Sequence, residues 1–479
     1  MEKFKLFISN FLIYGFGSII SNVIPLIMLP VITRLMPDSF YYGLSDISNT
    51  IVQFGTALAV MGMYDAVFRL FFDREDENYQ KVVCSTALVF TLISSFAVFI
   101  LLILFRNQFS ELFFDDPKYN NVLYLTAISI FIGGTNSIVQ IPTRTQNKRI
   151  VFIVLNTIGP VVSYAISVPL LLNGYYLIAL PLAAVATALT KELSFYVINR
   201  KWFDLRLFDS GVLKQLLVIA IPLLPNFLIY WIFNSSDRLM ISWLIGASFT
   251  GIYAVGAKIG SAAQLIYQAF AGGWQFFAFS TMNEENQVEN NSKVFEYLGA
   301  VSFGCATLVF ALSHWLFQLL FTGVYVDAYI CAPYLFLAPL MQMLFQVAAN
   351  QFLVVKKTWP NMLILAVGAV CNVALNLVLI PLIGIEGASI ATLVGYVVSD
   401  IICCIVLCRM KLMVVSNRFL FCSFIMLVFI LVWRMVLISS TLLSLIGAFF
   451  VIGIILTAYK NDISSLLTNK RIAHNNSVV

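Results

Sequence analysis

Polar and ionisable side chains inside long apolar stretches are the residues of this sequence that could bind a polar cargo. Lys258 lies among small and apolar neighbours, with residues 254–257 before it and 259–262 after it. An ionisable group at membrane depth is costly, so it marks a functional site by default. This lysine can extend to the water interface only with difficulty. We therefore expect Lys258 to face a water-filled central cavity, where its charge would suit an anionic cargo.

Further candidates recur at helical spacing. Asp65 and Arg69 are four residues apart and so share one face of a helix. Asp46 lies nearer the outer end of the same apolar segment, and the two carboxylates are the candidates for ion coupling. Arg69 and Lys258 could neutralise a diphosphate while amide side chains bond sugar hydroxyls. The amide candidates for the cavity are Asn22, Asn226, Gln264, Gln268, Gln342, Gln346 and Asn372.

Each candidate also has a purely structural interpretation. Asp65 and Arg69 could form an interfacial pair that caps a helix. Amide stripes often hold membrane helices together, through bonds of about 0.6 kcal/mol each. Asp237 and Arg238 are expected at the outer membrane surface, where they would orient a turn. Lys191 and Glu192 are expected at the inner interface.

The composition determines the class of protein. Hydrophobic residues make up 61% of the 479 residues and charged residues only 11%, whereas a soluble domain carries about 25% charge. Apolar runs close to the ~20 residues needed to cross a bilayer recur along the whole chain. They are continuous rather than alternating, which predicts helices and not a barrel. The sequence thus predicts an all-α integral membrane protein with about fourteen transmembrane helices.

Basic residues support this count, because cytoplasmic loops of membrane proteins are enriched in lysine and arginine. With a cytoplasmic N-terminus, every second connection is predicted to be cytoplasmic and is basic, and the C-terminus is cytoplasmic too. The net charge of +5 reflects this distribution and not a nucleic-acid surface. Basic residues predicted on the inner side include Arg74, Lys81, Arg144, Lys148, Arg200, Lys201, Lys214, Lys293, Lys356, Lys357, Arg409, Lys411 and Lys460.

The chain repeats itself at nearly half its length. A shift of 204 carries Asn22 onto Asn226 and Arg34-Leu35-Met36 onto Arg238-Leu239-Met240, and a shift of 205 carries Ala186-Thr187 onto Ala391-Thr392. Such repeats are typical of transporters whose two halves enclose the substrate site. We predict an N-terminal lobe of six helices at residues 1–203 and a C-terminal lobe of six at 204–410. Two additional helices and a cytoplasmic tail follow at 411–479.

Other kinds of site have little support in the sequence. Only two histidines exist, and the eight cysteines lie in or near apolar runs, so neither a metal site nor disulfides are expected. Residues 251–258 approach a phosphate-binding loop but miss its spacing and its final Ser or Thr. No cofactor is predicted, and transport would have to use an ion gradient, the membrane potential or neither.

Three segments resemble a known family of transporters. They are residues 234–259 with Ser236-Asp237-Arg238 and Ala257-Lys258, residues 380–392 with Ile385-Glu386-Gly387-Ala388, and residues 62–69 with Tyr64-Asp65 and Phe68-Arg69. Together they resemble Wzx-type polysaccharide repeat-unit flippases of the multidrug/oligosaccharidyl-lipid/polysaccharide (MOP) exporter superfamily, which includes the MATE transporters. The resemblance implies a MATE-like fold of two pseudo-symmetric lobes. It also implies movement of undecaprenyl-diphosphate-linked oligosaccharide across the bacterial cytoplasmic membrane, and it places Arg69 and Lys258 at basic positions of the signature.

The expected function is thus a flippase that works by alternating access and is coupled to H⁺ or Na⁺. Its expected partners are a lipid-linked oligosaccharide, membrane lipid and the polysaccharide polymerase and chain-length proteins. A lipid II flippase and a cation-coupled multidrug antiporter of the same superfamily stay open as alternatives. A membrane-bound polymerase or ligase would need a large external loop with catalytic Arg or His, and no such loop is predicted.

Overall fold

The computed structural model describes residues 23–267, 270, 274, 285–357, 359–462 and 464, and within these residues it contains helices and no strands. The helices of the first half are α1 (Val23–Leu35), α2 (Ser39–Val60), α3 (Met63–Phe71), α4 (Glu77–Leu104), α5 (Arg106–Phe114), α6 (Asn120–Val139), α7 (Ile141–Thr145), α8 (Arg149–Leu172) and α9 (Ala179–Asn199). Those of the second half are α10 (Ser210–Ala220), α11 (Leu224–Ile245), α12 (Ala247–Gly260), α13 (Gln287–Leu320), α14 (Ala332–Val354), α15 (Trp359–Ile383), α16 (Ile385–Arg409), α17 (Asn417–Val432) and α18 (Thr441–Ala458).

Eleven helical segments of the described chain are long and apolar enough to cross a membrane, and the count is twelve if α2 and α3 form one bent span. Two shorter helices, α1 and α12, occupy the places predicted for the first and eighth spans, and each lies close to residues outside the described part. The described residues therefore reach twelve spans and not the fourteen predicted. The predicted all-helical membrane fold is confirmed.

Helix ends follow local chemistry. The Asp38 carboxylate accepts the Phe40 N–H at 2.7 Å and caps α2, and Asp209 accepts the Val212 N–H at 2.7 Å and caps α10. Such caps satisfy N–H groups that have no partner in the first turn. The 45° bend between α2 and α3 falls at Met61 and Gly62, both with positive φ. A side chain at Gly62 would also strike the Ala220 carbonyl of α10, so this bend needs glycine.

Apolar cores lie in both halves and between them. One core is built by α13–α18 with part of α11, and the first half holds two smaller cores. A fourth core joins residues of α1, α2, α8 and α9 to residues of α11–α16. The helix pair α15–α16 is packed side by side, as is the corresponding pair α8–α9. The last two helices are fastened to the second half where Arg434 pairs with Glu386 at 2.5 Å.

The two halves touch closely where α2 and α12 begin, which we call the α2–α12 end. Gly43 and Gly251 face one another there, and a Cβ on either would lie 1.9–2.0 Å from the backbone oxygen of Ala247 or Ser39. The Trp243 indole N–H donates to the Leu112 carbonyl at 2.6 Å nearby. Because the crossing joins backbone to backbone, this end of the molecule is tightly closed.

Candidate functional site

A cavity of about 480 Å³ lies inside the first half. It is formed by α1, α2, α6, α8 and α9 and is completed by one residue of α12, so the second half contributes to it. Pro160 interrupts the hydrogen-bond ladder of α8 at the cavity wall. The polar residues of the lining are Tyr42, Ser45, Asp46, Asn49, Asn136, Ser163, Tyr164, Thr187, Lys191 and Lys258.

Lys258 is the residue that α12 supplies. Its side chain is accessible although the surrounding helix, from Gly251 to Gly256, is buried. The lysine is therefore deep in the molecule but open to the cavity, which is the location expected from its apolar flanks. Asp46 and Arg238 lie close enough to act on its charge.

Beside Lys258, a network of charges joins the two halves. Arg238 of α11 binds Asp46 of α2 at 2.7 Å and lies 3.6 Å from its neighbour Asp237. The Tyr253 hydroxyl donates to Asp237, and Arg238 also donates to the Asn234 carbonyl. The Asp46 and Arg238 side chains are only 12% and 19% exposed. Asp46 thus belongs both to the cavity lining and to a buried bond between the halves.

This network overturns one structural expectation. Asp237 and Arg238 were expected at a turn on the outer surface, but they lie inside α11, two turns before it ends at Ile245. The helix continues because Asp237 is satisfied by Tyr253 and Arg238 by two carboxylates and a carbonyl. The apolar run alone does not reveal such partners, since they come from α2 and α12.

Lys191 is a second cation of the cavity, which the sequence-based expectation had placed at the inner interface. It extends from α9 towards α8, where its ammonium group lies 3.4 Å from the Asn156 amide oxygen. Thr187, four residues earlier, lines the same cavity. The four-residue spacing of Thr187 and Lys191 is the signal that would have indicated a shared cavity face.

Arg69 and Asp65 do not line the cavity. Arg69 is exposed and forms an ion pair with Asp73, four residues further along the chain. Asp65 is exposed on α3, where Arg144 donates a hydrogen bond to the neighbouring Tyr64. The structure therefore separates Arg69 from Lys258, and the two do not form one diphosphate site.

The amide candidates lie outside this cavity. The Asn372 amide donates to Thr392 at 3.1 Å and its oxygen accepts from Asn376 at 3.3 Å, which fastens α15 to α16. Gln346 bonds Tyr230 and Tyr267. Gln342 is buried, and Asn226 and Gln264 are partly buried. Asn22 and Gln268 lie outside the described residues.

The arrangement is suited to binding an anion. Two lysines and one carboxylate line the cavity, and the carboxylate is already engaged by Arg238. The lysines hence carry positive charge that no carboxylate of the lining offsets. Asn49 and Asn136 add amide groups, and the Asn136 oxygen has no hydrogen-bond partner among the described residues. Those same residues contain no cluster of ligands that could hold a metal ion.

Comparison with protein families defines the class. The family described as "Polysaccharide biosynthesis protein" matches residues 31–330, well over half of the chain. The chain therefore belongs to this family. No curated protein sequence matches it.

Solved structures share the fold. The lipid II flippase MurJ, in an inward closed conformation, matches with a TM-score of 0.71 and 13% identity, covering 95% of this chain and 100% of its own. An inward-facing multidrug resistance MATE family transporter of the MOP superfamily matches with 0.59 and 15%, covering 82% and 98%. The Vibrio cholerae MATE transporter VcmN matches with 0.56 and 14%, covering 83% and 94%. The fold is the MATE/MOP fold, and these neighbours are transporters and not enzymes.

Proposed function

We propose that this protein is a flippase that moves an undecaprenyl-diphosphate-linked oligosaccharide from the cytoplasmic to the outer leaflet of the bacterial cytoplasmic membrane. The observation that carries the proposal is the cavity with Lys258 and Lys191, in a chain that belongs to a polysaccharide biosynthesis family. A diphosphate cannot cross hydrocarbon without compensating charge, and two lysines provide it. The lining amides and hydroxyls suit a sugar.

The two halves would move as lobes. We propose that residues 1–203 rock against residues 204–410, with residues 411–479 attached to the second lobe. The basic connections of the sequence place both termini in the cytoplasm, which puts the α2–α12 end at the outer surface. Since Asp46 belongs to both the cavity and the bond between the halves, it is the better candidate for coupling to H⁺ or Na⁺. A polymerase and chain-length proteins would receive the product.

The test replaces the cavity lysines one at a time. Lys258→Ala and Lys191→Ala should each slow flipping of a fluorescent undecaprenyl-diphosphate oligosaccharide in reconstituted vesicles by about tenfold, the factor given by a loss of about 1.4 kcal/mol. Lys258→Arg should retain most of the rate because it keeps the charge. Lys293→Ala, which removes an exposed ion pair with Glu289, is the matched control. Unchanged flipping in both alanine variants would overturn the proposal.

The structural similarity to MurJ keeps lipid II as a second candidate substrate, since lipid II also carries a diphosphate. The same vesicles with labelled lipid II separate the two, because they share the lysines but differ in the sugar. Export of a cationic dye with no flipping of either lipid would instead indicate the multidrug antiporter.

A further inference from the structure

A second cavity, of about 750 Å³, lies in the other half of the molecule. It is a cleft between α16 and α17 with α13 and α14 as its floor, and we call it the α16–α17 cleft. Its walls are almost entirely apolar, with Leu344, Val397, Ile405 and Phe424 among them. It shares no lining residue with the cavity that holds Lys258.

One carboxylate faces this apolar cleft. Asp400 of α16 is 8% exposed and lines the cleft. Neither of its oxygens has a hydrogen-bond partner among the described residues, and no ion pair there involves it. A buried ionised carboxylate without a partner is strongly unfavourable, and a carboxylate at membrane depth is a functional-site hypothesis by default. What the site lacks is a cation or a hydrogen-bond donor in an apolar setting.

We propose that the α16–α17 cleft binds a lipophilic cation, whose apolar body fills the cleft and whose positive charge lies against Asp400. The apolar walls account for the body, and the unpaired carboxylate accounts for the sign of the charge. Because the cleft is separate from the Lys258 cavity, the ligand is a compound other than the transported head group. The proposal does not depend on the identity of the cargo.

Arg409 also lines the cleft, and its charge would favour the opposite ligand. It is exposed at the end of α16, nine residues beyond Asp400 and so about 13 Å further along the helix axis. Water can solvate this guanidinium, whereas Asp400 is buried. The group that gains most from a ligand is therefore the carboxylate.

Two ions of the same size and shape test the proposal. Binding of radiolabelled tetraphenylphosphonium and tetraphenylborate to the purified full chain in detergent is measured by equilibrium dialysis, with empty micelles subtracted. We expect saturable binding of the cation and at least about tenfold weaker binding of the anion. Asp400→Asn, which keeps the shape of the side chain, should weaken the cation by at least about tenfold, corresponding to about 1.4 kcal/mol. Lys258→Ala should leave it unchanged.

Three results would overturn the assignment. Equal binding of both ions would show an apolar cleft without charge selection, and stronger binding of the anion that is lost in Arg409→Gln would show an anionic ligand. Cation binding unchanged in a folded Asp400→Asn variant would also exclude the site. If Asp400→Asn does not fold, Val397→Phe decides, because it fills the cleft and leaves the carboxylate. That variant should weaken the cation, and unaltered binding would contradict the proposal.

Discussion

Charges inside this molecule differ in whether the protein itself compensates them. Arg238 is surrounded by Asp46, Asp237 and a carbonyl, while Lys258 and Lys191 face a cavity with no carboxylate free to pair with them. A buried charge that is fully compensated holds helices together, and one that is not compensated is available to a ligand. The distinction assigns Arg238 to the architecture and the lysines to the cargo.

The network around Arg238 predicts an order of stabilities. Arg238→Gln leaves two carboxylates, Asp46 and Asp237, without their shared cation, whereas Asp46→Asn leaves Arg238 with Asp237 still 3.6 Å away. Removing one partner of a buried pair costs about 3–5 kcal/mol. We expect Arg238→Gln to lower the melting temperature in detergent more than Asp46→Asn does.

The double variant Asp46→Asn with Arg238→Gln provides the check. It should be more stable than Arg238→Gln alone, because it removes one of the two stranded carboxylates. A double variant whose losses simply add would mean that Asp46 and Arg238 do not interact, against the geometry. Lys81→Gln, which breaks an exposed ion pair with Glu77, should change the melting temperature little.

Among the elements, the crossing of α2 and α12 depends on two glycines. A Cβ at Gly43 would lie 1.9 Å from the Ala247 carbonyl oxygen, and one at Gly251 would lie 2.0 Å from that of Ser39. Backbone atoms cannot move aside as a flexible side chain can. We expect Gly43→Leu to hold the α2–α12 end apart and to stop transport. Gly304→Ala in α13 is the control, since a Cβ there meets nothing within 4 Å.

Thiol labelling measures the separation directly. A cysteine replacing the buried Ser39 should react slowly with a water-soluble maleimide in the parent chain and quickly beside Gly43→Leu, in a Cys408→Ser background that removes the exposed native thiol. Equal labelling with retained transport would mean that this end never closes during the cycle.

Which elements the sequence predicts follows from the physics of the bilayer. Apolar length and basic connections are local properties, so the helical class and the order of spans could be predicted from them. The bend at Gly62 and the backbone contact at Gly43 could not, because each depends on a distant partner, Ala220 and Ala247. The helix at Asp237 is similar, since its stabilising partners lie on other helices.

The site was predictable to the same limited extent. Lys258 has a local signature, a lysine among small apolar residues, and the structure places it in the cavity. Asn372 has an equally clear stripe but bonds Thr392 within the second half. A stripe shows that a face is polar and does not show whether water or another helix covers it. Arg69 was misplaced for a related reason, because its partner Asp73 satisfies it locally.

For the whole molecule, the closed α2–α12 end and the cavity beside it predict alternating access. Spin labels that replace Lys118 and Val324 report that end on the two halves, and labels at Arg74 and Lys356 report the opposite end, since successive spans alternate in direction. All four residues lie in connections between helices and three of them are exposed or partly exposed. Labels at Arg74 and Lys148, both in the first half, serve as the control pair.

Addition of a diphosphate-linked oligosaccharide should widen the Lys118–Val324 distance distribution and narrow the Arg74–Lys356 distribution, measured by double electron–electron resonance in nanodiscs. The changes should be opposite because the halves are joined by a single bonded region around Asp46 and Arg238, about which they can tilt. The Arg74–Lys148 distribution should stay fixed if the first half moves as a rigid lobe. Widening at both ends together would indicate separation of the halves and not rocking, and would refute the proposed mechanism.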